Sequence, residues 1–525
     1  MKILSRQNII VPILIVILGF SIRVYNLAIL PSGFFADEAS VGYNAYSILV
    51  KGRDEYGTSF PLFFRAFGEY KNPIQIYTTV PFIALFGLNE FAVRLPSVMF
   101  GTLSIAGLYL LIKQLLEKRK AAFAIASFSS LFLAISPWHV HLSRVALEGQ
   151  LAFVCFTVFA TYFFLKARFY PRDLFLSMLF FTLALYSYFP ARIFIPLFVL
   201  SLVIIYYRQL LQNTKTSLTV GTLFFLLLLP LSLHLLSKQG LSRWKQVSIF
   251  SNPPQNTTTI KHIVKNYISH FSLNFLFLKG DIDMPGQFIT RHSIRGMGEL
   301  YLFQFPLIMI AVFYLLKNKW GSVAPVLLVW LFLYPSGSML TADSTVQATR
   351  SIIGVVPFQV LSGIGLFFLG KRFKKIDLGS SFLKLGFFRY FFPPILLTTL
   401  ILFSFFRYLN LYFQEYNLYS SDFWGWQYGA RDIVQFFDTH RIEYSDLVMA
   451  PEFNAPEIFF KFYAPNSCLK CRIGLPDNFY NPSRKQLFAL SPTYLSNNQV
   501  LKFKIKKTIY YPNKTIAFQI GEIVQ

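Results

Sequence analysis

The sequence predicts a polytopic α-helical membrane protein with about eleven transmembrane helices and a small C-terminal α/β domain outside the membrane. Of its 525 residues, 54% are apolar and only 14% are charged, whereas roughly 25% are charged in an average soluble chain. Long apolar runs recur along the chain, and the basic residues gather in loops between alternate runs. One water-soluble core cannot bury so much apolar surface, so the composition excludes a disordered chain and argues against a soluble enzyme.

Eleven apolar runs approach the roughly 20 residues that a helix needs to cross a hydrocarbon core of about 30 Å. They cover residues 9–30, 92–112, 121–138, 149–165, 174–190, 192–207, 217–237, 300–316, 320–338, 351–370 and 390–406. The first run follows Lys2 and Arg6 and has no clear small-residue cleavage site at its end. We therefore predict a retained anchor, rather than a removed signal peptide, with the N-terminus in the cytoplasm.

One further apolar stretch, residues 73–88, decides the sidedness of every later loop. If it does not cross, the basic loops all lie on the side of the N-terminus, as the positive-inside rule requires. Those loops carry Lys113, Lys118, Arg119 and Lys120, then Lys166, Arg168 and Arg172, then Arg208 and Lys215, then Lys317 and Lys319, and finally Lys371, Arg372, Lys374 and Lys375. The stretch is thus predicted to be an interfacial or re-entrant helix on the outer face. The chain is then a multi-pass protein of the inner (plasma) membrane with an extracytoplasmic C-terminus.

This topology divides the chain into a transmembrane domain, residues 1–408, and an extracytoplasmic domain, residues 409–525. The two largest outer loops cover residues 31–91 and 238–299. The C-terminal part mixes short apolar runs with turn signals such as Pro476-Asp477, which is typical of a small α/β domain. Cys468 and Cys471 are expected to form a short-range disulfide, because two ligands are too few for a structural zinc site.

The formal net charge of +25 is attributed to the cationic loops rather than to a nucleic-acid surface, because no basic stripe lies on a polar face. The sequence contains no Walker A motif, no Gly-x-Gly-x-x-Gly opening a helix, no His-Glu-x-x-His and no nucleophile elbow. Nucleotide-driven chemistry is therefore not expected. The polar residues that could carry chemistry lie in the outer loops.

The first outer loop contains the most informative charges. Asp37 and Glu38 follow the first span by a few residues, where partial desolvation makes a carboxylate a stronger base. Either one of them is a catalytic base or Asp37 caps a helix over residues 39–49, and the two interpretations are compatible. Lys71 precedes Asn72-Pro73 and can bind the phosphate of a lipid carrier or extend its ammonium to the membrane surface.

Further polar residues lie in the predicted outer segments, and each can join a site or pair within a solvated loop. Arg350 is well placed, directly before an uncharged helix. Arg23 lies inside the first span, where an ionisable residue is a functional hypothesis by default. The others are Glu69, Tyr70, Arg144, Glu148, Arg192, Asp281, Asp283, Arg291, His292, Arg295 and Asp343.

Several of these stretches together resemble the GT-C membrane glycosyltransferases. The specific ones are Asp37-Glu38, Gly-Glu-Tyr-Lys-Asn-Pro at 68–73 and Phe-Gly-Leu-Asn-Glu-Phe-Ala-Val-Arg-Leu-Pro-Ser at 86–97, and weaker likenesses lie at 143–148, 280–292 and 348–350. The branch with the strongest resemblance is that of the bacterial phospholipid carrier-dependent enzymes related to protein O-mannosyltransferases and lipid A aminoarabinose transferases. The likeness covers roughly residues 1–370.

The resemblance implies that Asp37 is the catalytic residue, with Glu38 as its alternative, and that Lys71 contacts the carrier phosphate. The family often has Lys-Pro-Pro where this chain has Lys71-Asn72-Pro73, so Arg350 or Arg291 is expected to supply further phosphate contacts. The residues expected to bind substrate are Glu69, Tyr70, Arg144, His292 and Arg295.

The expected function is transfer of a hexosyl or pentosyl group from a polyprenyl-phosphate carrier to a lipid, glycan or protein acceptor on the outer face, with inversion and a carboxylate base. This chemistry requires no cofactor, although a divalent metal held by Glu69 and His292 stays open. The alternatives are a secondary transporter or lipid-linked sugar flippase, and a non-catalytic polysaccharide assembly protein. Most spans carry no charge, which disfavours a transporter. Pocket shape decides the sugar and the acceptor, and the sequence does not give it.

Overall fold

The computed structural model describes residues 7–117, 119–253, 258–281, 290–317, 320, 323–342, 346–375, 386–465 and 467–524. Some residues named above lie outside the described residues, namely Lys2, Arg6, Lys118, Asp283, Lys319 and Asp343. The side chains of Lys374 and Lys375 are likewise outside the description.

The chain up to residue 419 is mainly helical, with one short hairpin. Its helices are α1 Gln7–Val24, α2 Ala36–Lys51, α3 Pro73–Phe86, α4 Glu90–Leu115, α5 Ala122–Ile135, α6 Pro137–Ser143, α7 Gln150–Lys166, α8 Asp173–Leu185, α9 Ala191–Ile205, α10 Tyr207–Gln212, α11 Thr214–Leu236, α12 Ser242–Val247, α13 Thr259–Ser269, α14 Gln304–Lys317, α15 Val323–Leu333, α16 Ser336–Met339, α17 Val355–Lys375, α18 Gly386–Asn410 and α19 Tyr416–Tyr419. The hairpin strands are β1 Phe64–Ala66 and β2 Glu69–Lys71. A π-helical turn over Leu411–Glu415 joins α18 to α19.

Each predicted span falls on a helix, but the helices differ in length. Among the described residues, four are long and apolar enough to cross a membrane alone, namely Glu90–Leu115, Thr214–Leu236, Ile352–Arg372 and Pro394–Tyr419. Helices α5 and α6 give a fifth if they form one span, which bends by 55°. The bend falls at Ser136-Pro137, where Ser136 has an extended ψ of 125°, because a residue before proline avoids the helical conformation. The count of eleven spans stays a prediction.

Residues 73–88 form α3, which packs on α2 and α4. Two of its polar side chains, Gln75 and Thr79, are buried, and Gln75 donates a hydrogen bond of 3.2 Å to Ser97 on α4. Polar groups buried in this way face protein rather than lipid. This is the packing predicted for a helix that does not cross, although its position relative to the membrane stays a prediction.

The C-terminal part contains a five-stranded mixed sheet, which confirms the predicted small α/β unit. Its elements are α20 Ala430–His440, β3 Asp446–Met449, α21 Glu457–Tyr463, β4 Cys471–Ile473, α22 Pro476–Phe479, β5 Gln486–Leu490, α23 Pro492–Asn497, β6 Phe503–Tyr510 and β7 Ile516–Ile523. The strand order is β4-β3-β5-β7-β6, with β3 parallel to β4 and β5, and β7 antiparallel to β5 and β6. Cys468 and Cys471 are joined in a disulfide beside β4.

The C-terminal part packs directly on the first outer loop. Phe462 of α21 lies against Gly42 of α2 so closely that a Cβ at Gly42 would stand 2.4 Å from the phenyl ring. Lys461 pairs with Glu55 at 2.9 Å, and Tyr463 donates a hydrogen bond of 2.9 Å to Glu90. Helix α2 is thus packed between α3 and α4 of the helical bundle and α21 of the C-terminal part.

Candidate active site

Helix α2 carries the two acidic residues of the first outer loop. It spans Ala36–Lys51, so Asp37 lies in its first turn rather than before it, and the predicted helix over residues 39–49 begins three residues too late. The residue that receives the free N–H at this end is Glu38, whose Oε2 accepts from Phe35 N at 3.4 Å. The capping interpretation of Asp37 is therefore wrong, because the carboxylate of Glu38 accepts the hydrogen bond at this end of the helix.

Glu38 is fully buried and points into the protein. The guanidinium of Arg94, also fully buried, holds both of its oxygens at 2.9 Å in a bidentate pair. A further hydrogen bond of 3.0 Å comes from Ala146 N. Arg94 also donates to the main chain of Pro31 and Gly33, so this pair fixes the segment between α1 and α2. The geometry therefore favours Asp37 over Glu38 as the residue that faces a substrate.

The β1–β2 hairpin places the charged side chains of Glu69 and Lys71 on one side. Its turn places Phe67 and Gly68 at φ of 50° and 79°, the left-handed region that glycine adopts without strain. Side chains alternate along a strand, so Glu69 and Lys71 both point inward, with 8% and 3% of their surfaces exposed. The predicted interfacial helix starts at Pro73, and Lys71 is the last residue of β2.

Lys71 and Asp37 form the ion pair at the centre of the site. Their Nζ and Oδ1 atoms are 2.5 Å apart, and 29% of the Asp37 side chain stays exposed against 3% for Lys71. Burial lowers the pKa of Lys71, but nearby Asp37, Glu69 and Glu148 outweigh it and raise that pKa above its ordinary value. Lys71 is therefore a fixed positive charge, while Asp37 keeps a face open to a substrate.

Arg243, which was not predicted from the sequence, and Glu148, which was named only among the further polar residues, complete the charge cluster. Arg243 of α12 pairs with Glu69 at 2.8 Å. Burial raises the pKa of Glu148 to about 7, with Lys71 lowering it and Glu69 raising it. At neutral pH Glu148 is thus divided between its protonated and ionised forms, which is unusual for a carboxyl.

A small cleft adjoins this cluster. Its polar lining includes Glu148, Tyr188, Arg243 and Arg350, and Trp244 and Phe189 are among its aromatic residues. Arg350 stands just before a 3₁₀ turn, Ile352–Gly354, that leads into α17. Arg350, which was predicted to bind phosphate, therefore lines the same cleft as Glu148 and Arg243. Arg243 in turn pairs with Glu69, which lies two residues before Lys71.

Arg144 lies elsewhere and serves another purpose. It is fully buried and donates to the carbonyls of Ile22, Arg23 and Leu30 at 2.9, 2.8 and 3.1 Å, which bind it to the end of α1. The guanidinium of Arg144, which was predicted to contact substrate, here donates hydrogen bonds to main-chain carbonyls, and its substrate contact stays a prediction. Arg23 is also fully buried, with its guanidinium 2.7 Å from His139 Nδ1.

The residues predicted from the large outer loop form their own group. Arg291 donates to Trp424 O at 2.8 Å and covers the Phe35 ring at 4.0 Å. His292 lies 3.3 Å from Asp281, which accepts from Ala348 N at 2.7 Å. Arg295 packs over the Tyr419 ring at 4.6 Å. These contacts tie the loop to the residues before Arg350 and to the start of the C-terminal part, rather than to Lys71.

Tyr70 points to the opposite side of the hairpin from Lys71, and its ring meets that of His234 at 5.5 Å. The two residues named for a possible metal also lie in different surroundings, since Glu69 pairs with Arg243 and His292 with Asp281. In the part of the chain that the structure describes, no three His, Cys, Asp or Glu side chains are grouped as metal ligands. The metal dependence of the site stays a prediction.

Sequence reasoning missed Arg243 because no motif surrounds it, and only the fold brings α12 beside β2. Glu148 carried a signal, as an acid in a predicted outer segment within a stretch that resembles the GT-C enzymes. Arg94 lies within such a stretch too, but inside a predicted span. Its partner Glu38 could have been inferred from the cost of leaving a buried guanidinium unpaired.

A protein-family model matches residues 71–234, and that family is the dolichyl-phosphate-mannose-protein mannosyltransferases. The matched region contains Lys71, Arg94 and Glu148. No curated protein sequence matches the chain.

Solved structures match along most of the chain. ArnT from Cupriavidus metallidurans bound to undecaprenyl phosphate is 12% identical, with a TM-score of 0.56 over 99% of this chain and 98% of that chain. The archaeal oligosaccharyltransferase AglB from Archaeoglobus fulgidus, in complex with an inhibitory peptide and a dolichol-phosphate, is 12% identical, with a TM-score of 0.53 over 88% of this chain and 64% of that chain. An Archaeoglobus fulgidus oligosaccharyltransferase tethered with an acceptor peptide is 11% identical, with a TM-score of 0.55 over 98% and 74% of the two chains.

The chain shares its fold with the matched ArnT and oligosaccharyltransferase structures along most of its length. The resemblance to the GT-C superfamily drawn from the sequence is thereby confirmed.

Proposed function

We propose that this chain is a membrane glycosyltransferase that moves a sugar from a polyprenyl-phosphate carrier to an acceptor on the outer face of the inner membrane. The observation that carries the proposal is the Asp37–Lys71 pair, which couples an accessible carboxylate to a buried cation. The matched ArnT structure holds undecaprenyl phosphate and the matched AglB structure holds a dolichol-phosphate. Both complexes thus hold a lipid-borne phosphate, and such a phosphate is the kind of ligand that the positive charges of this site would bind.

The reaction is a single displacement at the anomeric carbon. The Asp37 carboxylate takes the proton of the acceptor hydroxyl or amine, and the freed electron pair attacks the anomeric carbon from the face opposite the phosphate. The bond between that carbon and the phosphate oxygen breaks, and its electrons stay on the carrier phosphate. The sugar configuration is inverted, and no nucleotide takes part.

The basic residues match the charge that develops on the leaving phosphate. Lys71 supplies a buried ammonium, and the guanidinium groups of Arg243 and Arg350 line the adjoining cleft. Such preplaced charges stabilise a transition state more than they do in water, because they need not reorganise. A guanidinium also offers two parallel donors to a phosphate.

The ion pair couples donor binding to base activation. Without donor, Lys71 holds Asp37 at 2.5 Å. A carrier phosphate competes for the same ammonium and so releases Asp37, whose freed oxygen then accepts a proton from the acceptor. The Asp37 oxygen that pairs with Lys71 is thus freed to accept a proton only when a donor is in place.

The proposal is tested by incubating the purified protein with a panel of polyprenyl-phosphate sugars and measuring sugar-dependent release of carrier phosphate. We expect release with at least one donor, dependent on added acceptor. A parallel incubation with EDTA decides whether a divalent cation is needed. Movement of intact lipid-linked sugar across vesicles without any phosphate release would support the flippase alternative instead.

A further inference from the structure

Helix α13, Thr259–Ser269, belongs to the large outer loop but lies apart from the charge cluster. One side of it is fixed to the protein. Asn266 is fully buried, and its amide donates to Met339 O and Thr341 O at 3.3 Å each. Tyr267 donates to Phe332 O at 3.0 Å, at the end of α15. The helix therefore rests where a predicted span meets the outer surface.

A different side of α13 is apolar and exposed. Ile260, Val264 and Ile268 are 74%, 49% and 62% exposed. They are four residues apart, so they form one stripe along the helix. A continuous apolar stripe on an otherwise polar helix is the pattern of a helix that lies in a membrane interface.

Two exposed lysines border that stripe. Each residue advances about 100° around a helix, so Lys261 and Lys265 stand together beside the stripe and away from buried Asn266. Around its axis the helix thus presents a protein-bound face, an apolar face and a cationic edge. An apolar face beside a cationic edge matches the acyl chains and phosphates of a lipid layer.

We infer that α13 lies in the outer membrane–water interface, with Ile260, Val264 and Ile268 among the acyl chains and with Lys261 and Lys265 on anionic lipid headgroups. The occupant follows from charge complementarity, and from the neighbouring end of α15. A lipid-bound α13 would also anchor the cleft, because it holds Thr341, which lines that cleft. The inference goes beyond the proposed function and needs only the predicted sidedness of this loop.

Site-directed spin labelling tests the inference without measuring activity. Single cysteines replace Ile260, Val264 or Ile268 in a Cys155→Ala background, because Cys155 is a free thiol whereas Cys468 and Cys471 are bonded. The proteins are reconstituted in vesicles of phosphatidylcholine with an equal amount of phosphatidylglycerol. Collision rates with oxygen, which concentrates in the bilayer, are compared with those of a water-soluble nickel chelate.

We expect an oxygen-to-nickel ratio at the stripe several-fold above that of Val500→Cys and approaching that of Leu226→Cys. Val500 is 97% exposed in the C-terminal part, and Leu226 is 58% exposed on α11. A ratio equal to that of Val500→Cys would overturn the inference. Low accessibility to both reagents would also overturn it, and would indicate a protein partner on this face.

A second experiment tests whether Lys261 and Lys265 bind anionic lipid headgroups. In vesicles of phosphatidylcholine alone, the stripe ratio should fall, and the double variant Lys261→Gln/Lys265→Gln should show the lower ratio in both lipids. A ratio that is independent of lipid charge in the unaltered helix would exclude anionic headgroups as the ligand of these lysines.

Discussion

Asp37 and Glu38 are adjacent in sequence but differ in what their carboxylates can reach. Glu38 is fully buried on Arg94 and Ala146 N, whereas Asp37 contacts Lys71 and keeps an exposed face. A base must come within hydrogen-bond distance of the proton it removes. Accessibility, rather than the presence of a carboxylate, therefore separates their proposed roles.

Asp37→Asn should lower sugar transfer by at least the roughly hundredfold that loss of a general base costs. Donor binding should be retained, because the substitution keeps the side-chain size and releases Lys71 from its ion pair. The measurements are single-turnover transfer and the donor Kd.

Glu38→Gln is the matched control and should lower the unfolding temperature, because it weakens a buried pair. Near-normal transfer by Asp37→Asn beside a folded but inactive Glu38→Gln would move the base to Glu38. Activity in both variants would exclude a carboxylate mechanism.

Lys71→Ala should weaken donor binding more than it disturbs folding, because the site loses the buried ammonium that pairs with Asp37. Lys71→Arg should retain part of the affinity, since charge matters more here than the shape of the donor group. The donor Kd of the unaltered protein, of Lys71→Ala and of Lys71→Arg is measured by titration at one ionic strength. Unchanged affinity in Lys71→Ala would show that the Lys71 ammonium pairs with Asp37 but does not bind the donor phosphate.

Donor affinity should fall as the pH rises through about 7, where Glu148 ionises. A carboxyl with a raised pKa stays neutral to higher pH, so only above that range does its negative charge repel the donor phosphate. Lys71 keeps its charge throughout, because its pKa is raised. Donor Kd measured from pH 6 to 8 should rise several-fold in the wild type and stay flat in Glu148→Gln. An equal slope in both would assign the titration to another group.

At the scale of elements, the short segment between α1 and α2 is set by ion pairing across to α4. Arg94→Ala leaves the Glu38 carboxylate buried without its partner, which costs about 3–5 kcal/mol for a buried pair. Thermal unfolding of the purified protein should show a large loss of stability, and the loss in the Arg94→Ala/Glu38→Ala double variant should be less than the sum of the single losses.

Arg431→Ala is a suitable control for that prediction. Arg431 pairs with Glu90 at 3.3 Å, but its side chain is 42% exposed, and exposed pairs contribute about 0–1 kcal/mol. Its removal should change the unfolding temperature little. Additive losses in the Arg94 and Glu38 variants would show that the two side chains do not stabilise each other.

The helices of the bundle could be predicted because each depends on a local run of apolar residues. The β1–β2 hairpin and the early start of α2 could not, since they depend on Gly68 in the left-handed region and on Glu38 bonding back to Phe35. Both are conformational choices that composition does not reveal.

The candidate site was predictable only where its residues lie close in sequence or in a motif. Asp37 and Lys71 were found in this way. Arg243 reaches Glu69 across 174 positions, and such a contact is set by helix packing rather than by any local pattern. The substrate contact of Arg144 stays a prediction, and its inward turn to main-chain carbonyls could not be foreseen, because a charged side chain in an outer segment can point either way.

At the scale of the whole molecule, the positive-inside pattern gives a testable sidedness. A cysteine replacing the exposed Ser59 or Ser483 should react with a membrane-impermeant maleimide added from outside intact cells, and a cysteine replacing the exposed Lys120 should not. Labelling after lysis checks that each thiol is reactive. Outside labelling at position 120 would show that the assigned topology is wrong.

The contact between α21 and α2 also has a consequence for biosynthesis. Lys461 and Glu55 are separated by 406 residues, so α2 is made early but meets its packing partner only when the ribosome has nearly finished. A nascent chain interrupted before Phe462 carries Asp37 and Lys71 yet lacks the surface that holds α2 in place. Completion of synthesis thereby determines when α2 gains its packing partner in the C-terminal part.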